Sequence, residues 1–131
     1  MTDPLDRLLV TSDQVSREML AEVLENRIAI DPGTGAVIPL QGWHMLTARQ
    51  RILLFLLGTK AALLKGILGA EGAGPTAIAA ATGVPKGTVG RILRELAAER
   101  LLAQMAGGAY YVPVYAAQQV KDVVLGEGNG R

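Results

Sequence analysis

Basic side chains recur at helical spacing between Lys86 and Arg94, within the segment Lys-Gly-Thr-Val-Gly-Arg-Ile-Leu-Arg. Arg91 and Arg94 are three residues apart, so they share one face if this segment is a helix. A guanidinium group can donate two parallel hydrogen bonds to one partner, whereas an ammonium binds anions as a point charge. These residue types at this spacing indicate a surface suited to phosphate contact.

Residues that could support catalysis or bind a metal are few. The chain has no cysteine, one histidine (His44), and two serines (Ser12 and Ser16) that fall in a predicted helix. A metal site needs more ligands than one histidine can supply. The glycines between 69 and 74 are not followed by the Gly-Lys-Ser/Thr of a phosphate-binding loop. We therefore expect neither an enzyme nor a metal or cofactor site, and we expect His44 to pack near the start of the following helix.

The net charge of +1 conceals an uneven distribution of charge along the chain. Residues 1–41 hold three basic and seven acidic side chains, whereas residues 42–131 hold ten basic and five acidic ones. An acidic segment is repelled by phosphate, whereas a basic one attracts it. Contact with a nucleic acid is therefore expected from the later segment.

The composition favours one small domain that buries surface against a partner. Half of the residues are apolar and only 19% are charged, which is below the usual quarter. We therefore expect an oligomer. The apolar run from Ile52 to Leu68 contains Lys60 and Lys65, so we interpret it as a buried helix and expect no membrane span. The first residues have no apolar signal core, so we expect a cytoplasmic protein.

The residue pattern in the first part of the chain predicts a helix, a hairpin and a second helix. A helix is expected from Ser12 or Asp13 to about Asn26, and two β-branched runs flank a Pro-Gly-Thr-Gly turn at residues 32–35. Thr47-Ala-Arg-Gln50 fits a capping box, which begins a long helix that we expect to end near Leu68, before Gly69. Residues 71–74 are expected to form a short flexible loop.

The residue pattern in the second part of the chain predicts two short helices, a hairpin and a final helix. The helices are expected at residues 75–82 and 86–100, separated by Gly83-Val-Pro85. Strands are expected at 101–105 and 110–114, and Tyr110, Val112 and Val114 should form one packed face. A helix should then run from Tyr115 to about Leu125, followed by a disordered tail.

The order of elements across residues 47–114 resembles the winged helix-turn-helix superfamily, and the resemblance is closest over residues 75–96. Ala79 is the small residue where the two helices cross, and Gly83 supplies the turn. The expected buried positions are Ile78, Val84, Val89 and Ile92. The resemblance implies a mainly α (α+β) fold with three segments. These are an N-terminal helix-plus-hairpin extension (1–46), the winged helix-turn-helix (47–114), and a C-terminal helix and tail (115–131).

The resemblance also implies a double-stranded DNA partner and a role in transcription. The second helix of the motif enters the major groove with its outward N-terminal residues. Arg91 is then the best candidate for a guanine contact, and Arg94 for a guanine or phosphate contact. Other expected contacts are Lys86, Gly87, Thr88, Gly90 and, on the preceding helix, Thr76. The wing tip at Gly107 and Gly108 lacks Lys and Arg, so we expect it to be mainly structural.

Two functions remain open at this point. The first is a sequence-specific regulator, with the long helix, the N-terminal helix and the side of the last helix that carries Val120, Val123 and Val124 as the dimer surface. The second is an adaptor that binds proteins, since winged helices also serve assembly. Arg91 could also form an ordinary ion pair with Glu95, one turn further along. The sequence indicates no effector.

Overall fold

The computed structural model describes residues 12–126, which form five α-helices and two antiparallel hairpins. The elements in chain order are α1 Ser12–Leu24, β1 Ile28–Ile30, β2 Val37–Pro39, α2 Ala48–Leu64, α3 Pro75–Thr82, α4 Lys86–Ala98, β3 Ala103–Gln104, β4 Tyr110–Tyr111 and α5 Ala117–Gly126. Short 3-10 turns at Trp43–Met45 and Val114–Ala116 precede α2 and α5. The predicted mainly α fold class is confirmed. The predicted disorder of the tail concerns residues 127–131, which lie outside the described residues.

Helix α2 is the centre of the molecule, as its apolar sequence predicts. Every side chain from Ile52 to Leu57 is buried, and α1, α3, α4, α5 and the first hairpin all contact this helix. Each fully buried aliphatic side chain of this kind contributes about 1.5–3 kcal/mol to folding. No helix within residues 12–126 has both the length and the apolar character needed to cross a membrane.

The surface expected to form a dimer is instead buried within one chain. Val23 of α1 and Val120 and Val124 of α5 are at most 3% exposed, because α1 and α5 pack against α2 and against each other. Val123 is partly buried against the same core. The prediction of this dimer surface is therefore wrong, because the three apolar faces cover one another.

Helix α2 begins as predicted but ends four residues early. Thr47 and Gln50 form the full capping box, with each side chain bonded to the other residue's backbone N–H. The helix ends at Leu64 because Gly66 adopts a left-handed conformation (φ 76°). The N–H groups of Gly66 and Ile67 then donate to the carbonyl groups of Leu63 and Ala62, as in a Schellman motif. The helix therefore stops just before Gly66, and not at Gly69.

The segment before α3 is fixed in place, which corrects the prediction of a flexible loop. Ala73 exchanges two backbone hydrogen bonds with Tyr110 of β4, at 3.0 and 2.8 Å. Gly72 has a φ of 89°, and a β-carbon there would lie 2.5 Å from the carbonyl oxygen of Tyr110. The close approach requires glycine, and Ala73 adds a third, one-residue strand to the wing hairpin.

Two side chains of α2 hold the same segment. Lys60 is 4% exposed, and its ammonium lies 2.9 Å from both carboxylate oxygens of Glu71. Thr59 accepts a hydrogen bond from the N–H of Gly72 at 2.9 Å and donates to the carbonyl of Leu56. The start of the helix pair is thus tied to the central helix by charge and by hydrogen bonds.

Several element ends also differ from prediction. Helix α1 ends at Leu24, before Asn26 (φ 68°), and α4 ends at Ala98, before Arg100 (φ 64°). The wing strands have two residues each, and Val114 is half exposed because the chain leaves the sheet for a 3-10 turn before α5.

His44 is exposed, so its predicted packing is wrong. Its neighbour Trp43 is the residue that packs on the core.

Candidate nucleic-acid interface

Helices α3 and α4 are joined by a tight turn whose backbone is satisfied locally. Gly83 ends α3 in the left-handed conformation (φ 80°), and its N–H donates to the carbonyl of Ala79. Thr82 is buried, donates its hydroxyl proton to the carbonyl of Ile78, and accepts a bond from the N–H of Val84. The glycine turn and the burial of Ile78 and Val84 were predicted from the sequence, whereas this role of Thr82 was not.

Two side chains from outside α3 and α4 hold this helix pair in place. The indole N–H of Trp43 donates to the carbonyl of Thr82 at 3.0 Å. At the far end of α4, the Arg49 guanidinium donates to both carboxylate oxygens of Glu99, at 2.7 and 3.3 Å. Hydrogen bonding from Arg49 holds the pKa of Glu99 below its ordinary value. Neither contact is visible in the sequence, because the partners are 39 and 50 residues apart.

Helix α4 separates cleanly into two faces. Its inward face is at most 3% exposed and consists of Val89, Ile92, Leu93 and Leu96. Its outward face carries the residues predicted from the sequence. Of these, the side chains of Lys86, Arg91 and Arg94 and the backbone at Gly87 are exposed, and Thr88 and Gly90 are half exposed.

The cations of this face differ in what they contact. Arg91 donates to Glu95 at 3.0 Å, which is the ion pair that the sequence allowed. Glu95 also lies 4.0 Å from the Arg49 guanidinium on α2. The side chains of Lys86 and Arg94 make no hydrogen bond or ion pair with any residue in the described part of the chain. Arg94 and Lys86 are therefore the cations most available to a ligand.

The first turn of α4 is open. Pro85 occupies the N-cap position, and no side chain caps the backbone N–H groups of that turn. A β-carbon placed on Gly87 would meet nothing within 4 Å, and one on Gly90 would meet only the end of the Arg94 side chain at 3.5 Å. Uncapped N–H groups at a helix N-terminus attract anions, and the missing side chains permit close approach.

The structure brings six of the seven predicted contact residues together on α4. Thr76 is exposed on the first turn of α3, at the opposite end of that helix from the turn that leads into α4. At 1.5 Å per residue, the length of α3 places it about 9 Å along that axis from Thr82. Any contact from Thr76 would therefore address a different part of a ligand from the contacts of Lys86.

The wing is short and uncharged. Gly107 and Gly108 both have a φ of 93°, and they turn the chain between Met105 and Ala109, which are joined by a backbone bond of 2.8 Å. Gln104 donates to the carbonyl of Gly108 at 3.3 Å. The tip therefore offers backbone groups alone to a ligand.

Comparison with known proteins assigns this part of the chain. Residues 61–106 match the family model of the IclR helix-turn-helix domain, a winged helix-turn-helix family of DNA-binding transcription regulators. The match begins in the last turn of α2, includes α3 and α4, and ends at the wing tip. No curated protein and no solved structure matches the chain. The predicted resemblance to the winged helix-turn-helix superfamily is confirmed over residues 61–106, which are similar to the IclR helix-turn-helix domain.

Proposed function

We propose that this chain is a sequence-specific transcriptional regulator that inserts the start of α4 into the major groove of double-stranded DNA. The family match supports a DNA-binding regulator. The observation that carries the finer proposal is the outward face of α4, where three exposed cations stand beside two glycines and no apolar side chain projects. Such a face suits phosphates and base edges, and it does not suit an apolar protein partner.

The individual contacts follow from what each side chain already binds. Arg94 is unpaired within the described residues and can donate two hydrogen bonds to a guanine edge or to a phosphate. Arg91 must first leave Glu95, but an exposed pair of this spacing contributes only about 0.3–0.5 kcal/mol. A bidentate guanine contact contributes about 1–3 kcal/mol, so the exchange is favourable. Lys86, Thr88 and the uncapped N–H groups of the first turn would hold a phosphate.

We also propose that the regulator acts as a homodimer, with its two recognition helices about 34 Å apart. Within residues 12–126, large apolar side chains that could serve such an interface are exposed in two places. Ile38, Leu40 and Met45 are exposed on and after β2, and Val114 and Tyr115 are exposed before α5. The N-terminal extension supplies the first patch and covers α2. Sizing of the full chain tests the dimer, and a monodisperse monomer at micromolar concentration would contradict it.

The central experiment is a fluorescence-anisotropy titration of labelled random duplex DNA at several salt concentrations. We expect an affinity that falls steeply with salt, and a loss of about one unit of salt slope for each phosphate contact removed. The combined Arg91→Ala and Arg94→Ala variant should lose binding. Lys65→Ala is the matched control, because Lys65 is an exposed cation at the end of α2.

Two outcomes would contradict the proposal. Binding that the double variant retains would mean that α4 is not the recognition helix. The absence of any salt-dependent binding would mean that the chain does not bind DNA. That result would favour an adaptor that contacts proteins through its exposed apolar side chains.

A further inference from the structure

A pocket of about 510 Å³ lies between the N-terminal extension and the end of α2. Its lining is mainly apolar, with Leu20 and Leu24 of α1, Ile28 of β1, and Ala61 and Leu64 of α2. This volume falls within the range of about 300–1,000 Å³ typical of small-molecule sites, which are also mostly apolar with a few polar groups. The pocket is remote in sequence from α4, and nothing in the proposed DNA contact uses it.

Charged side chains stand at its two ends. Arg17 donates to the carbonyl of Leu64 at 2.7 Å, and Lys65 is the next residue, so both cations lie at the end of the pocket near the α2 C-terminus. Lys65 is exposed, and its ammonium group makes no hydrogen bond or ion pair within residues 12–126. Glu25 lines the pocket eight residues after Arg17, about 12 Å further along α1 at 1.5 Å per residue.

We propose that this pocket binds a small amphipathic carboxylate with an unbranched apolar chain of about eight to ten carbon atoms, a length that matches the roughly 12 Å between its charged ends. The chain would lie on the apolar lining, and the carboxylate would lie beside Lys65 and Arg17. The opposite orientation would place the carboxylate beside Glu25, where like charges repel. The charges therefore orient an anionic ligand, and they favour it over a cationic one because an ammonium group has only Glu25 to pair with, against two cations for a carboxylate.

Calorimetric titration of the full chain with decanoate tests the proposal without DNA, so its outcome is independent of the proposed function. We expect saturable binding of one decanoate per chain and a rise in Tm of roughly 5 °C at saturating ligand, because the ligand binds only the folded state. Acetate, which lacks the apolar chain, should not bind. Decylamine, with the same chain and the opposite charge, should bind at least several-fold more weakly.

Two kinds of variant locate the site. Ala21→Phe fills the pocket from an exposed position on α1, and Ala29→Leu fills it from an exposed position on β1. Either should abolish decanoate binding, and Ala98→Phe, at an exposed helical alanine on α4, should not. Lys65→Gln should weaken binding by roughly threefold to fivefold, the effect of an exposed ion pair.

Three results would overturn the proposal. They are the absence of saturable decanoate binding, equal or tighter binding of decylamine, and unchanged decanoate affinity in both filled variants. Circular dichroism of each variant establishes that it is folded, and the second filled variant provides the same readout if the first does not fold.

Discussion

Gly90 offers a test in which stability and DNA binding change in opposite directions. It occupies the fifth position of α4, where glycine lowers helix stability by about 0.5–1 kcal/mol relative to alanine. A β-carbon there meets only the flexible end of Arg94, at 3.5 Å, which is ordinary van der Waals contact. The Gly90→Ala variant should therefore be more stable by nearly the full propensity difference. For a chain of this size that corresponds to a rise in Tm of roughly 2–4 °C.

The same substitution should weaken DNA binding. If α4 enters the major groove through its glycine-bearing face, a methyl group at this position separates the helix backbone from the DNA and lengthens the contacts of its neighbours. We expect a loss of about tenfold or more in affinity, which corresponds to about 1.4 kcal/mol. Gly87→Ala should gain less stability, because residue 87 is in the first turn, but it should lose affinity in the same way.

Thermal unfolding followed by circular dichroism and anisotropy titration of the same samples give both quantities. Ala98→Gly is the matched control, since it changes an exposed residue at the other end of α4. It should lower stability and leave DNA affinity unchanged. A Gly90→Ala protein that is more stable and binds DNA as tightly as the parent would refute the assignment of a close-approach role to this glycine. A Gly90→Ala protein that is less stable than the parent would contradict the statement that a β-carbon at residue 90 fits without strain.

Three further outcomes are expected from contacts around α4. Glu95→Gln should raise DNA affinity by about threefold to tenfold in anisotropy titrations, because it releases Arg91 and removes a negative charge from the interface. Trp43→Phe should lower the free energy of unfolding by about 1–2 kcal/mol in urea denaturation, because the carbonyl of Thr82 loses its donor. The pKa of Glu99 is lowered, so its contribution to stability is present above its ordinary pKa of 4.5 and is lost as the pH falls through the lower native value. The Glu99→Gln variant should therefore lose less of its free energy of unfolding than the parent as the pH falls below the ordinary pKa of Glu99. An unchanged dependence of the free energy of unfolding on acid pH would contradict this.

The sequence predicted best where the determinants are local. The capping box at Thr47 and Gln50 needs only two residues three apart, and it forms as expected. Pro75 begins α3 and Gly83 ends it, so both bounds of that helix were predicted. The inward face of α4 follows from the spacing of its apolar residues, and all of them are buried. Each of these features depends on backbone and side-chain preferences within one or two turns.

Prediction failed where a distant segment decides the local structure. Gly66 and Gly69 are equivalent as helix stops in the sequence, and tertiary contacts of the residues between them decide which one is used. A β-carbon on Gly35 would lie 2.6 Å from the side chain of Leu68 and 3.2 Å from that of Ile67. These two residues leave the helix to cover the turn of the first hairpin, which lies far earlier in the chain. Helix α2 must therefore end before them, at Gly66.

The prediction of the dimer surface was wrong for a related reason. An apolar face on a helix shows that something must cover it, but not whether the cover belongs to the same chain. Here α1, α2 and α5 each carry such a face, and the three bury one another. In the described residues, the apolar side chains left for the proposed interface between copies are exposed ones such as Met45 and Tyr115.

The cations of α4 show how far spacing alone can rank functional residues. Arg91 and Arg94 share one face of the helix, and Arg91 was ranked first for the guanine contact on the sequence alone. Glu95 was visible as a partner of Arg91 at i+4, but Arg49, which lies 4.0 Å from Glu95, comes from another helix. Glu95 is thereby held between two guanidinium groups and stays beside Arg91. Arg94 has no such neighbour within the described residues, so it can reach a ligand without first breaking a contact, and we therefore rank it ahead of Arg91.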